Sequence, residues 1–207
     1  MIVLNIDEFN IHKKAILSEL KKTLFVYPTD TIYGLGCNAT DEKLVEKLRK
    51  IKNTKHPFSV IVPSKEWIYK NCEVTQDAEE WIRKLPGPYT LILKLKNPKA
   101  VAQNVYHSND VKTLGVRMPN NWFLTVVSQI NIPIITTSAN ISGNDFMTKL
   151  EDLDPIIRNN VDYVFYEGEK KGNPSTIINL VGPEISIKKR TKLSSKSISF
   201  PISEIKK

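Results

Sequence analysis

Apolar residues recur along this chain at two spacings, near 3.6 and near 2, and the spacing switches repeatedly. Ile11 to Lys22 predicts an amphipathic helix with Ala15, Ile16 and Leu20 inward and lysines outward. Leu24 to Tyr27 predicts a strand that Pro28 stops. Asp41 to Lys52 predicts a helix, with Thr40 or Asp41 as N-cap and Leu44, Leu48 and Ile51 on one face. Asn53 to Pro57 breaks it, and Phe58 to Val62 reads as a buried strand. A helix follows from Gln76 to Leu85, then a hard stop at Pro86-Gly87-Pro88, then a half-buried strand from Tyr89 to Leu95. Residues 97–114 are polar and irregular. Beyond them come a strand ending in Leu114-Gly-Val-Arg-Met-Pro119, a helix around Trp122 to Ile130 and a strand from Ile132 to Thr137. Leu150 to Asn159 predicts a helix. Tyr163 to Tyr166, Thr176 to Val181 and Ile185 to Lys188 predict the last strands.

Helices and strands alternate without internal repeats, and no Gly/Ser or charge block divides the chain. The pattern predicts one α/β domain over residues 1–207, built on a mixed, twisted, open sheet with flanking helices.

Composition narrows the class. The 41% hydrophobic and 25% charged content over 207 residues is that of a soluble globular protein. No apolar run approaches the roughly 18–20 residues of a membrane span, and Met1 to Asp7 has no signal-peptide pattern. Cys37 and Cys72 make neither a disulfide framework nor a CxxC pair, which suits a reducing cytoplasm. The net charge of +8 is uneven: residues 188–207 carry +6 of it. That basic segment suits RNA phosphates or a nucleotide, or is a solvated tail.

Between Tyr27 and Ala39 lie Thr29, Asp30, Thr31, Tyr33, Gly34 and Gly36, where a strand hands over to a helix. The stretch reads either as a capped turn or as a loop for a polar, phosphate-bearing ligand. Gly34-Leu-Gly-Cys-Asn-Ala39 matches G-x-G-x-x-A, but six residues separate strand from first glycine, and the next strand ends in Pro63-Ser64 rather than an acidic residue. A dinucleotide site is therefore a poor fit. The chain has no Walker A sequence and no G-x-S-x-G elbow. His12, His56 and His107 lack metal-ligand spacing and read as surface or loop residues. Separated polar turns remain: Lys50-Ile-Lys52, Val116 to Pro119, Thr137 to Gly143, Pro174 to Thr176 and Lys188 to Arg190. They supply cations, hydroxyls and an amide without an evident nucleophile. Such an inventory suits a site that binds an anionic nucleotide and aligns a second reactant.

Tyr-Pro-Thr-Asp-Thr-Ile-Tyr-Gly-Leu-Gly, a lysine-ended helix, Val-Arg-Met-Pro, Thr-Ser-Ala-Asn-Ile-Ser-Gly and Pro-Ser-Thr-Ile-Ile-Asn occur here in one order. In order and spacing they resemble the YrdC/Sua5 family of threonylcarbamoyl-AMP synthases. The resemblance implies an open α/β sheet with a basic concave face. It also implies synthesis of threonylcarbamoyl-adenylate and pyrophosphate from L-threonine, bicarbonate and ATP, with Mg²⁺ accompanying the ATP. The product would serve tRNA modification, with tRNA contact and downstream threonylcarbamoyl-transfer proteins as partners. By the same carry-over, Thr29, Thr31, Arg117, Ser138 and Ser175 would meet threonine. Lys50, Lys52, Asn140, Thr148 and Arg190 would meet ATP. No residue is assigned as nucleophile or base; Lys52 is the candidate for charge neutralisation.

One departure stands out. The family's K-x-R pattern at the end of the first-loop helix is Lys52-Asn53-Thr54 here, and the spacer before Pro57-Phe58 is short. Alignment without a gap pairs Lys50 and Lys52 with the two cations. Lysine lacks arginine's bidentate fork. The alternatives are an RNA-binding module without synthase activity, and a relative acting on another carbamoyl-adenylate. The chain resembles the short, YrdC-type form.

Overall fold

The computed structural model describes residues 1–106 and 111–191. His107 and all but the start of the basic segment 188–207 lie outside the described residues.

Ten strands form one mixed sheet among the described residues: β1 (Ile2–Leu4), β2 (Phe25–Tyr27), β3 (Gly34–Gly36), β4 (Ser59–Ile61), β5 (Tyr89–Lys94), β6 (Thr113–Arg117), β7 (Ile134–Ser138), β8 (Tyr163–Phe165), β9 (Thr176–Asn179) and β10 (Ser186–Lys188). Their spatial order is β1-β8-β2-β3-β7-β4-β6-β5-β9-β10. The sheet contains parallel pairs (β1/β8, β2/β8, β4/β6, β5/β9) and antiparallel ones (β2/β3, β3/β7, β4/β7, β5/β6, β9/β10). Among the described residues six α-helices flank it: α1 (Ile6–Glu19), α2 (Glu42–Lys52), α3 (Lys65–Asn71), α4 (Gln76–Arg83), α5 (Phe123–Ile130) and α6 (Pro155–Arg158).

The local chemistry explains most boundaries. Asp41 caps α2 through Lys43 N and Leu44 N, and Asn53 ends it in the left-handed region at φ 47°. The first helix lies further upstream than its lysine pattern predicts. Asn5 and Glu8 form a capping box that starts it at Ile6, Phe9 is buried, and Ala15 is exposed. The helix predicted over Leu150 to Asn159 is broken into a 3-10 turn at Leu150–Asp152 and α6, because Asp154 caps a new start and Pro155 occupies its first turn. β1, β3 and α3 are elements that the sequence pattern did not predict.

The glycine stretch is the main correction. Gly34 to Gly36 is a strand paired with β2 and β7, not part of a strand-to-helix turn. A Cβ on Gly34 would lie 2.7 Å from the Tyr27 ring, and one on Gly36 would lie 2.2 Å from the Ile135 carbonyl oxygen. Glycine lets the buried Tyr27 ring lie across the strand, where its hydroxyl donates to Ile135 O at 3.0 Å. The dinucleotide-like spacing is thus a packing requirement.

Strand alternation sorts the sheet into two faces. Val26, Leu35, Val60, Leu91, Leu93, Leu114, Val116 and Ile135 belong to one apolar core together with Val45, Leu48 and Ile51 of α2 and Ile82 of α4. The opposite face is divided. One half carries Phe25, Tyr27, Ile61, Ile134 and Phe165 under Ile16 of α1 and Phe123 and Val127 of α5. Tyr27 stacks on Phe123 with ring centroids 4.5 Å apart. The other half carries small and polar residues.

Candidate functional site

That uncovered half is the floor of a cavity of about 350 Å³. Ser59, Thr90, Ile92, Thr113, Gly115, Thr136 and Ile177 line it. Their registers place them on the same face as Ile61 and Ile134: Ser59 opposes Gly115 and Thr136, and Ile92 opposes Gly115. A Cβ on Gly115 would lie 2.3 Å from Ser59 Oγ, so the floor is closely packed there.

The walls gather separated turns. Thr29, Arg117, Ser138, Ser175 and Arg190 all line this cavity. Thr29 Oγ1 lies 2.9 Å from Thr31 Oγ1 and also donates to Ile32 O at 2.7 Å, which folds the 28–33 loop on itself. Arg117 Nη2 donates to Asp30 Oδ1 at 3.0 Å and to Thr31 Oγ1 at 3.2 Å. Arg117 is only 6% exposed. Burial pulls its guanidinium down from the usual value, and the Asp30 charge opposes that shift. Its Nε is buried without a hydrogen-bond partner among the described residues. Asp30 Oδ2 in turn accepts from Asn120 N at 2.9 Å.

On the far wall Arg190 donates from Nε to Ser175 O at 2.8 Å and from Nη2 to Ser175 Oγ at 2.7 Å. Ser175 Oγ also meets Thr90 Oγ1 at 2.7 Å, so the arginine is anchored to the floor. Burial, with a smaller contribution from the Arg117 charge, lowers the Arg190 guanidinium to about 10. Two guanidinium groups that repel each other across a cavity favour an anion there.

A second hollow adjoins the cavity through His56, Pro57, Phe58, Thr137 and Ser138, and adds Lys52 and Asn140. Lys52 is 3% exposed. It donates to Ser138 O, Asn140 O and Asn140 Oδ1 at 2.8, 2.6 and 2.9 Å. Burial lowers its ammonium to about 8. Arg49 braces this wall from behind. It donates to Thr54 O, His56 O and Asn104 O and lies 4.4 Å over the Phe58 ring.

Five sequence-predicted residues do not line the cavity: Lys52 and Asn140 line the adjoining hollow, and Thr31, Lys50 and Thr148 lie elsewhere. Thr31 lines a hollow on the other side of the Arg117 wall, with Asp30 and Arg190. Lys50 is exposed and pairs with Glu46 at 3.7 Å on the outer side of α2. Thr148 lies before the 3-10 turn and donates from Oγ1 to Asp152 Oδ2 at 2.5 Å. Conversely, Ser59, Thr90, Thr136 and His56 line the cavity and were not singled out from the sequence for it. Strand phase alone does not mark the strand residues, because Ser59 shares its face with Ile61, Thr90 with Ile92 and Thr136 with Ile134. His56, read as a surface or loop residue, stands at the cavity's rim.

The profile of the Sua5/YciO/YrdC family, described as telomere recombination, matches residues 20–190. The chain belongs to the Sua5/YciO/YrdC family. It is 36% identical over 195 residues to a protein of Methanocaldococcus jannaschii that carries the name threonylcarbamoyl-AMP synthase provisionally, covering 88% of this chain and 89% of that one. It is 31% identical over 163 residues to the threonylcarbamoyl-AMP synthase of Pyrococcus abyssi, covering 76% of this chain but 47% of that one, so it spans about half that relative's length. The crystal structure of P. abyssi Sua5 complexed with L-threonine superposes with a TM-score of 0.77 at 26% identity, covering 89% of this chain and 56% of that one. Escherichia coli YciO has the same fold, with a TM-score of 0.77 at 24% identity over 93% and 94% of the two chains.

Proposed function

We propose that this protein is an L-threonylcarbamoyladenylate synthase that joins L-threonine, bicarbonate and ATP and releases pyrophosphate. The observation that carries the reading is the single cavity lined by Thr29, Arg117, Ser138, Ser175 and Arg190, in a family that includes a Sua5 solved with L-threonine. Arg117 offers its remaining N–H groups to the threonine carboxylate, while Asp30 and Thr31 hold its other side. Arg190, fixed on Ser175, offers a second cation to the triphosphate. The threonine amine, as the neutral base, would bond to the carbon of bicarbonate while a bicarbonate oxygen leaves as water, and the resulting carbamate oxygen would attack the α-phosphate in line as pyrophosphate leaves. Positioning and charge neutralisation are the protein's contribution.

Mg²⁺ would travel with ATP. The carboxylate of this wall, Asp30, is committed to Arg117 and Asn120 N, and no cluster of three metal-ligating side chains occurs among the described residues. The ion would therefore be held by phosphates and water, where it supplies charge neutralisation. Threonylcarbamoyl-transfer proteins and tRNA would receive the product. No helix of the described residues is long and apolar enough to cross a membrane.

The test is pyrophosphate release with ATP, L-threonine and bicarbonate supplied together and with each omitted. Release that ignores threonine sinks the assignment, and a mass spectrum of the product separates it from another carbamoyl-adenylate. Arg117→Ala should raise the threonine requirement far more than the ATP requirement. An RNA-binding module without synthesis would instead show salt-dependent tRNA binding and no ATP-dependent product.

A further inference from the structure

An ammonium has three N–H groups and no acceptor. Lys52 directs all three at the Ser138–Asn140 turn, with none left for a phosphate. The backbone adds a fourth tie, Ser142 N to Lys52 O at 3.1 Å. From this saturation the rest of the turn follows. The Asn140 atom facing the ammonium must be the acceptor Oδ1, and Nδ2 accordingly turns to Asn144 O at 2.6 Å. Ser138 Oγ lies 2.5 Å from the same Oδ1. A carbonyl oxygen only accepts, so Ser138 spends its single proton there. Toward the cavity, which it lines, Ser138 then presents lone pairs.

We propose that Lys52 is a positioning residue that, through Asn140, fixes Ser138 as a hydrogen-bond acceptor for the amine N–H of the amino-acid substrate. The proposal rests on the synthase reading and divides the substrate's two polar ends. Arg117 donates to the carboxylate, and Ser138 accepts from the amine that is to become the carbamate. A hydroxyl oriented this way repels a carboxylate or phosphate oxygen and favours a donor. It also orients the nitrogen without acting as its base: the ammonium gives one proton to solvent, and the freed lone pair then bonds to the bicarbonate carbon as a bicarbonate oxygen leaves as water.

The experiment is calorimetric titration of L-threonine and of 3-hydroxybutyrate, which lacks the amine, into wild type, Ser138→Ala, Lys52→Met and the double variant. Ser138→Ala should weaken L-threonine about tenfold, the order of one hydrogen bond to a charged donor, and change 3-hydroxybutyrate less than about twofold. Lys52→Met should weaken L-threonine by a similar factor, and adding it to Ser138→Ala should cost less than about twofold more. A purely structural lysine would multiply with Ser138→Ala and weaken both ligands. Equal weakening of both ligands by Ser138→Ala, or no weakening, overturns the proposal even if Lys52→Met fails to fold. Wild type that binds no L-threonine overturns the synthase reading, and this proposal with it.

Discussion

Asp30→Ala is a direct test of the wall that holds Arg117. The two side chains are 10% and 7% exposed, and the Oδ1–Nη2 contact is 3.0 Å. Removing the carboxylate leaves a buried guanidinium without a counter-charge, and the Arg190 charge already works against it. Breaking one partner of a buried pair costs about 3–5 kcal/mol. The cavity lets water reach one side of Arg117, so the lower end, about 3 kcal/mol, is the expected loss. Asn120 N also loses its acceptor, but that residue is exposed and its N–H can hydrate at little cost. With a urea dependence of about 2–3 kcal/mol per M, the unfolding midpoint should fall by about 1–1.5 M, read by tryptophan fluorescence. Asp30→Asn keeps the shape and loses only the charge, so it should lose most of the same stability. If both variants shift the midpoint by less than about 0.3 M, Arg117 is solvated through the cavity. The pair would then contribute no more than the ~0–1 kcal/mol of a surface ion pair.

Gly36→Ala should cost more than about 3 kcal/mol or prevent folding, because its Cβ would meet the Ile135 carbonyl oxygen at 2.2 Å; a thermal-shift change under about 2 °C would refute the packing argument. Arg49→Ala strips the donor from three carbonyl oxygens and should lower Tm by about 5–10 °C, with KM for ATP rising more than KM for threonine. For Lys52, burial lowers the folded-state value to about 8 from 10.5, so the unfolded chain binds more protons between those limits. The unfolding free energy of wild type relative to Lys52→Met should therefore rise as pH climbs from about 8 to 10.5, and be flat below. A difference that falls with pH in denaturant titrations would reverse the sign.

The fold was legible in the sequence where one element carries its own signal. Asp41 with Leu48 and Ile51 specifies α2 from cap to buried face, and the structure follows it to Lys52, although Val45 is buried where Leu44 was expected and Leu44 is only partly covered. Where two elements share the reason, the sequence is silent. Gly34 and Gly36 read as turn residues because nothing local shows that Tyr27 needs a side-chain-free strand beneath its ring. Lys65–Asn71 is too short to show a helical period, and its helix is evident only with Ser64 capping it and Ile68 buried. At the site, motif spacing pointed to Arg117, Ser138 and Arg190, which the cavity brings together. It could not show that Lys50 turns outward, since neighbouring helix positions differ by about 100° in direction. Ser59, Thr90 and Thr136 gain meaning only once the uncovered half of the sheet is known.

That uncovered half has a thermodynamic consequence. The floor of hydroxyls, a glycine and a few aliphatic groups was never a hydrophobic surface awaiting cover, so occupying it removes polar and apolar area together. These two kinds of area change heat capacity in opposite directions. Ligand binding here should therefore carry a small heat-capacity change for the area it covers, and an enthalpy that varies little with temperature.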